Sequence, residues 1–219
     1  MASVPETPQT PPDLVPEVGS CYRYAWSRLW KYFLELLLIF IISVALGVPG
    51  GIGSWVPALN FLTWIYNILI GGPVEFGVSY ANLKAVRDTK PEAQDIFEAF
   101  KTYWNSVLAS LLTTIIVGIG FVLLIVPGVI FACKLAFVPY LIVDRKMEAV
   151  EAVKASWRLT NGHALDIFLM FLLAIPIILA GLIALVVGVI PAAMWVTLSF
   201  ASMYHSVSQT EKAPAQTAA

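Results

Sequence analysis

The run LLIVPGVIFACKLAFVPYLIVDRK, from Leu123 to Lys146, is apolar throughout except for Lys134 and the charges that close it, Asp144, Arg145 and Lys146. From Gly128 to Asp144 it supplies about 17 residues, the length at which a tilted helix begins to reach across a bilayer. Pro127-Gly128 interrupts it. Proline removes a rung of the helical ladder and glycine permits a reversal. The run therefore reads as the turn and second arm of a helical hairpin.

The rest of the chain repeats that character. Of 219 residues, 59% are hydrophobic and 12% charged, and the mean hydropathy is +0.82. A soluble domain carries about 25% charged residues, so the composition specifies an all-α, polytopic membrane bundle. Apolar runs place six spans near 32–48, 55–83, 104–126, 128–144, 164–189 and 191–207, paired as three hairpins. Residues 1–18 read as a disordered Pro-rich arm, 19–208 as the membrane domain and 209–219 as a disordered polar tail. The arm has no positive charge and is not a secretory signal. Cys21 and Cys133 fall at different depths, so both are expected to be reduced.

Charge is segregated. Arg23, Arg28 and Lys31 precede the first span; Lys84, Arg87, Lys90 and Lys101 separate the second from the third; Arg145, Lys146, Lys154 and Arg158 separate the fourth from the fifth. The alternate connections, around Pro49, Pro127 and Pro191, have no Lys or Arg. By the positive-inside rule both termini are cytoplasmic, in the inner (plasma) membrane. Trp26, Trp30, Trp104 and Trp157 fall where interfacial anchors are expected.

The cytoplasmic segments carry helical apolar spacing of their own: Tyr22, Ala25, Trp26 and Leu29; Ile96, Phe97, Phe100 and Tyr103; Met147, Val150, Val153 and Trp157. Such amphipathic helices lie in the interface plane. Thr89-x-x-Glu92 resembles a capping box for the second, and Asn161-Gly162 stops the third. Ala25-Trp26-x-x-Leu29-Trp30 matches Ala99-Phe100-x-x-Tyr103-Trp104, and Ala152-Val153-x-x-Ser156-Trp157 matches more weakly. The pattern suggests a threefold internal repeat of interfacial helix plus hairpin.

The segments GPVEFGVSYANLKAVRD, DIFEAFKTYW and VPGVIFACKLAFVPYLIVDRKMEAVEAVKASWRLTNG resemble a group of bacterial integral membrane domains. That group includes the membrane domain attached to some glycerophosphodiester phosphodiesterases, together with similar uncharacterised six-span proteins. The resemblance runs from about Ala25 to Phe171 and implies six helices with cytoplasmic connecting helices. It implies no chemistry here, because the residues for a catalytic barrel are absent.

Ionisable residues inside spans are the functional candidates. Lys134 lies about 15 Å before Asp144 along a helix, and Glu75 about 13 Å before Lys84. The matched depth predicts an intramembrane charge pair, Glu75–Lys134, structural or gating. Gly71, Gly72 and Gly77 would let the second span approach closely, and Pro73 would break it. Glu35 is expected to reach the interface or to pair with Lys31. His163, Asp166 and His205 fall short of a metal ligand set, and no catalytic motif is present. The expectation is therefore a non-enzymatic accessory, scaffolding or lipid-associated module without metal or cofactor. Its partners would be membrane lipids and a second copy or another membrane protein, not nucleic acid. The alternative is a small transporter or channel using the broken second span with Glu75 and Lys134.

Overall fold

The computed structural model describes residues 14–53, 60–183 and 188–216. The expected arm up to residue 13 and Trp55, the expected start of span two, lie outside them. The described residues form helices α1 (Val18–Lys31), α2 (Phe33–Gly53), α3 (Asn60–Tyr66), α4 (Gly72–Val86), α5 (Glu98–Lys101), α6 (Tyr103–Leu123), α7 (Ile125–Leu135), α8 (Val138–Arg145), α9 (Ala149–Leu159), α10 (Ala164–Ile183) and α11 (Val189–Gln216). A π-helical turn, Asn67–Gly71, joins α3 to α4, and a 3-10 turn, Ala93–Phe97, precedes α5. Four stretches are long and apolar enough to cross a membrane: Phe61–Val86, Tyr103–Leu123, Ile125–Arg145 and Ala164–Ile183. Val18–Lys31 with Phe33–Gly47 makes a fifth if that pair, bent by 93°, counts as one span.

α11 packs against α1, α4 and α10 at the centre of the bundle. Leu198, Met203 and Tyr204 are buried there alongside Ser199, Ser202, His205 and Ser206. The hydroxyls of Ser199 and Ser202 bond back to Trp195 O and Leu198 O, the local route by which a helix buries a serine. A helix enclosed by protein has no need of an apolar surface, so α11 is less apolar than the outer spans. It also outlasts the expected tail boundary at 209, because Glu211 is held by Arg145 at 3.1 Å and Arg158 at 3.0 Å. At the other end Leu14 is buried, and its carbonyl accepts from Ser206 Oγ at 3.4 Å. The folded region therefore starts before residue 19.

Three local expectations are corrected. The chain reverses at Leu124, whose backbone is extended, and Pro127 sits in the first turn of α7. Proline is tolerated there because a first-turn N–H has no helical partner. Gly120 and Gly128 bring the two arms together, since a Cβ on Gly120 would stand 2.8 Å from Gly128 Cα. The cap before the 3-10 turn is Glu92, not Thr89, and its N–H donates to Asp95 Oδ2 at 2.7 Å. Finally, the second cytoplasmic segment is not one helix. It splits into the 3-10 turn and α5, and the backbone bends at Thr102.

That bend matches the one between α1 and α2. Tyr32 has φ −116° and ψ 31°; Thr102 has φ −115° and ψ 40°. Ala25, Ala99 and Ala152 are each 0% exposed, whereas Trp26 and Phe100, the residues after the first two, face outward. Ala25 precedes its bend by seven residues and Ala99 by three, so the second segment is one helical turn shorter.

The charged ends of the helices are tied together. Arg28, Lys31 and the Tyr32 hydroxyl converge on Asp88. Lys84 meets Asp95 at 2.9 Å. Arg87 grips Asp144 through two bonds of 2.5 and 2.8 Å, and Tyr204 OH donates to the same carboxylate at 3.0 Å.

Candidate functional site

Glu75 stands in the first turn of α4, just past the π-helical turn. The second span is not broken here as expected. Pro73 lacks an N–H and its ring crowds the carbonyl four residues back. Widening the preceding turn to the π form relieves that clash while the helix continues. Such wide turns recur at functional sites. Gly72 sits against α6, where a Cβ would lie 2.6 Å from Ser110 Oγ.

The Glu75 side chain faces open space, although protein crowds it closely. Two cavities meet at it. The larger, about 360 Å³, is walled by α4, α6, α7, α8, α10 and α11, and its polar lining includes Ser79, Asn82, Thr113, Tyr140 and Thr197. The smaller, about 300 Å³, reaches Asn67 and Gly71 of the π turn. Glu75, Ser110 and Thr114 line both. Tyr140 is buried with its hydroxyl beside Ser79 and Glu75. Thr113 Oγ1 is buried without a hydrogen-bond partner among the described residues. Within the same limits no basic side chain comes within ion-pair distance of the Glu75 carboxylate. The arrangement is one carboxyl that shares its cavities with several hydroxyls and an amide.

Lys134 is not part of it. Its ammonium donates to Asn161 Oδ1 at 2.5 Å and lies 5.9 Å from the centre of the Trp157 ring. The expected pair with Glu75 does not form. A matched distance along two helices sets only one coordinate, and the turn that closes α9 takes the lysine instead. Just before Pro139 the helix is interrupted between Leu135 and Val138, and α9 satisfies the freed backbone groups: Ser156 Oγ donates to Lys134 O at 2.7 Å and accepts from Phe137 N–H at 3.3 Å.

The other candidates scatter. Glu35 pairs with Lys90 at 3.3 Å, not with Lys31, which is drawn to Asp88. His163 and Asp166 approach to 3.6 Å at the start of α10, while His205 is buried on α11. Among the described residues no three His, Cys, Asp or Glu side chains gather as a metal site. Cys21 and Cys133 are both free and buried. Trp26, Trp30, Trp104 and Trp157 all present their rings outward. The first also packs on Trp195 with centroids 4.8 Å apart.

A family model described as a domain of unknown function, DUF7847, matches residues 96–218, more than half of the chain. The chain belongs to this family. The DUF7847 match takes in the cavity walls from α6, α7, α8, α10 and α11, whereas Glu75 and the π turn lie before it. No solved structure matches the chain.

Proposed function

We propose that this DUF7847 protein binds a small cation, the proton included, at Glu75 and passes it across the membrane between the two cavities. One observation carries the reading: the Glu75 carboxyl lines both cavities and, among the described residues, has no cation within ion-pair distance. A bare carboxylate in such surroundings is costly unless a proton or cation neutralises it. No described residue supplies that partner, and in this reading it comes from outside the chain. A 360 Å³ cavity has room for about a dozen waters at liquid density, enough to hydrate an ion on its way to the acid. An accessory or scaffolding role gives no reason for an acid at this place.

In this reading the bundle has six spans in three hairpins, with α11 as the sixth. Its modest hydropathy reflects enclosure by α1, α4 and α10. Both termini lie on the cytoplasmic side of the plasma membrane. The support for that side is the position of the paired Arg and Lys residues, which lie on the connections before and after spans.

Reaction with dicyclohexylcarbodiimide, an apolar reagent that captures carboxyl groups within membranes, tests the site. The expected result is one major adduct, mapped by peptide mass spectrometry to Glu75 and lost in Glu75→Gln. An unlabelled Glu75 alongside labelled surface acids would overturn it.

A further inference from the structure

The smaller cavity at Glu75 has a wall that the larger one lacks, the π-helical turn itself. Gly72 N–H donates to Asn67 O across that turn, and Pro73 has no N–H to give. The Ile68 carbonyl is therefore left without either of its helical donors, four and five residues on. Ile68 lines this cavity together with Asn67, Glu75, Ser110 and Thr114. Within a span, a freed carbonyl is tolerated where it is enclosed by protein or faces a cavity. In discontinuous membrane helices such carbonyls coordinate cations.

Two more oxygens stand at the same turn, each over a glycine. The Asn67 side chain donates from Nδ2 to Thr63 O at 2.9 Å. Its Oδ1 lies over Gly71, 3.3 Å from where a Cβ would be. Ser110 Oγ, on α6, lies over Gly72, 2.6 Å from that Cβ position. A side chain on Gly71 would crowd the first oxygen, and one on Gly72 would displace the second. Residues 68, 71, 72 and 75 share one face by helical spacing, and Glu75 lines the cavity with them.

Building on the reading that Glu75 takes a cation, we infer that the ion is an alkali-metal cation and not the proton. It is held in the smaller cavity by the Glu75 carboxylate, Asn67 Oδ1, the Ile68 carbonyl and the Ser110 and Thr114 hydroxyls. A proton needs the carboxyl alone, whereas a hard metal cation takes a set of carboxylate, carbonyl and amide oxygens. One carboxylate cancels one positive charge. A monovalent ion therefore leaves the site neutral, and a divalent ion would leave a net charge inside the span, at large cost.

The test is the rate at which dicyclohexylcarbodiimide labels Glu75 in the intact protein in detergent. The pH and ionic strength are fixed while N-methylglucamine chloride is replaced stepwise by sodium or potassium chloride. The reagent needs the protonated carboxyl, which a bound metal ion excludes. One of the two salts is expected to slow labelling about tenfold once it reaches about ten times its dissociation constant. Thr114→Val removes a hydroxyl and keeps the shape; Pro73→Ala gives the Ile68 carbonyl a donor. Each should raise the salt needed for half-protection about fivefold or more, the effect of losing one contact to a charged group. Thr114→Ser should behave as wild type. Labelling that neither salt slows overturns the alkali-metal assignment and leaves the proton as the ion at Glu75. A Glu75 that never labels overturns the cation reading and this inference with it. Undiminished protection in both Thr114→Val and Pro73→Ala overturns the ligand set.

Discussion

Ser156 holds Phe137 across the break in the fourth span: its hydroxyl accepts the Phe137 N–H at 3.3 Å while donating to Lys134 O at 2.7 Å. Ser156 is fully buried, so water cannot replace it. Ser156→Ala leaves a buried donor and acceptor unmet, at a cost of about 1–3 kcal/mol. Thr160 Oγ1, 3.5 Å from Lys134 O, is too far to compensate fully. Thermal unfolding in detergent should show a lower Tm for Ser156→Ala. An unchanged Tm would mean that the break is held by something else.

Arg87 and Asp144 join α4 to α8 through a two-bond contact, and both are mostly buried. Arg87→Met leaves Asp144 enclosed with Tyr204 as a remaining donor. The expected loss is about 3–5 kcal/mol. Arg87→Met with Asp144→Leu should recover much of it, because replacing both charges by apolar groups removes the desolvation cost. Reversible unfolding of the two variants compares these directly, and additive losses would contradict the pairing.

α4 crosses the 3-10 turn at backbone contact. A Cβ on Gly77 would fall 1.9 Å from Ile96 O, and neither backbone can yield cheaply. Gly77→Ala is therefore expected to cost more than about 2 kcal/mol, in the range of overpacked cores. Gly118, on α6, has nothing within 4 Å of its Cβ position. Gly118→Ala should be neutral, or stabilising by up to about 1 kcal/mol from helix propensity. Equal effects of the two would refute the close crossing.

The Asp88 cluster gives stability a pH dependence. The hydrogen bond from Lys31 first, and then Tyr32 and Arg28, hold the Asp88 carboxyl below its usual range. Its folded value is the lower one, so its contribution is fully present above the unfolded value, about 3.9, and is lost as pH falls through the folded value. The site is half-exposed, so the effect is small. Asp88→Asn should flatten the stability profile below about pH 4 and leave the shape near pH 7 unchanged. A profile that keeps its acid slope assigns that slope to another carboxylate.

The sequence showed these features unevenly. Apolar runs located α6 and α10 to within a few residues, and Glu75 stood out because acids are rare within spans. Lys134 stood out as well, but its partner did not, because a helix's rotation about its own axis cannot be inferred from depth. The role of Ser156 was hidden. A buried serine that serves a distant proline break looks, in sequence, like any small residue on an amphipathic helix. The centrality of α11 was concealed for a related reason. Its serines lower its hydropathy, and only the packing around it explains why that is tolerated. The polar lining at Ser110, Thr113, Thr114 and Thr197 had a signal, hydroxyls within apolar helices, that points to a cavity only once the helices are assembled.

Ion movement through sealed vesicles tests the central claim most directly. Protein is reconstituted into liposomes enclosing a pH-sensitive dye, and a potassium gradient with valinomycin sets an inside-negative potential. The account predicts internal acidification that depends on protein, or uptake of an alkali-metal cation read with the matching dye. Glu75→Gln should abolish it while Lys134→Gln leaves it intact. Flux in Glu75→Gln equal to wild type, or no cation flux in wild type, would contradict it.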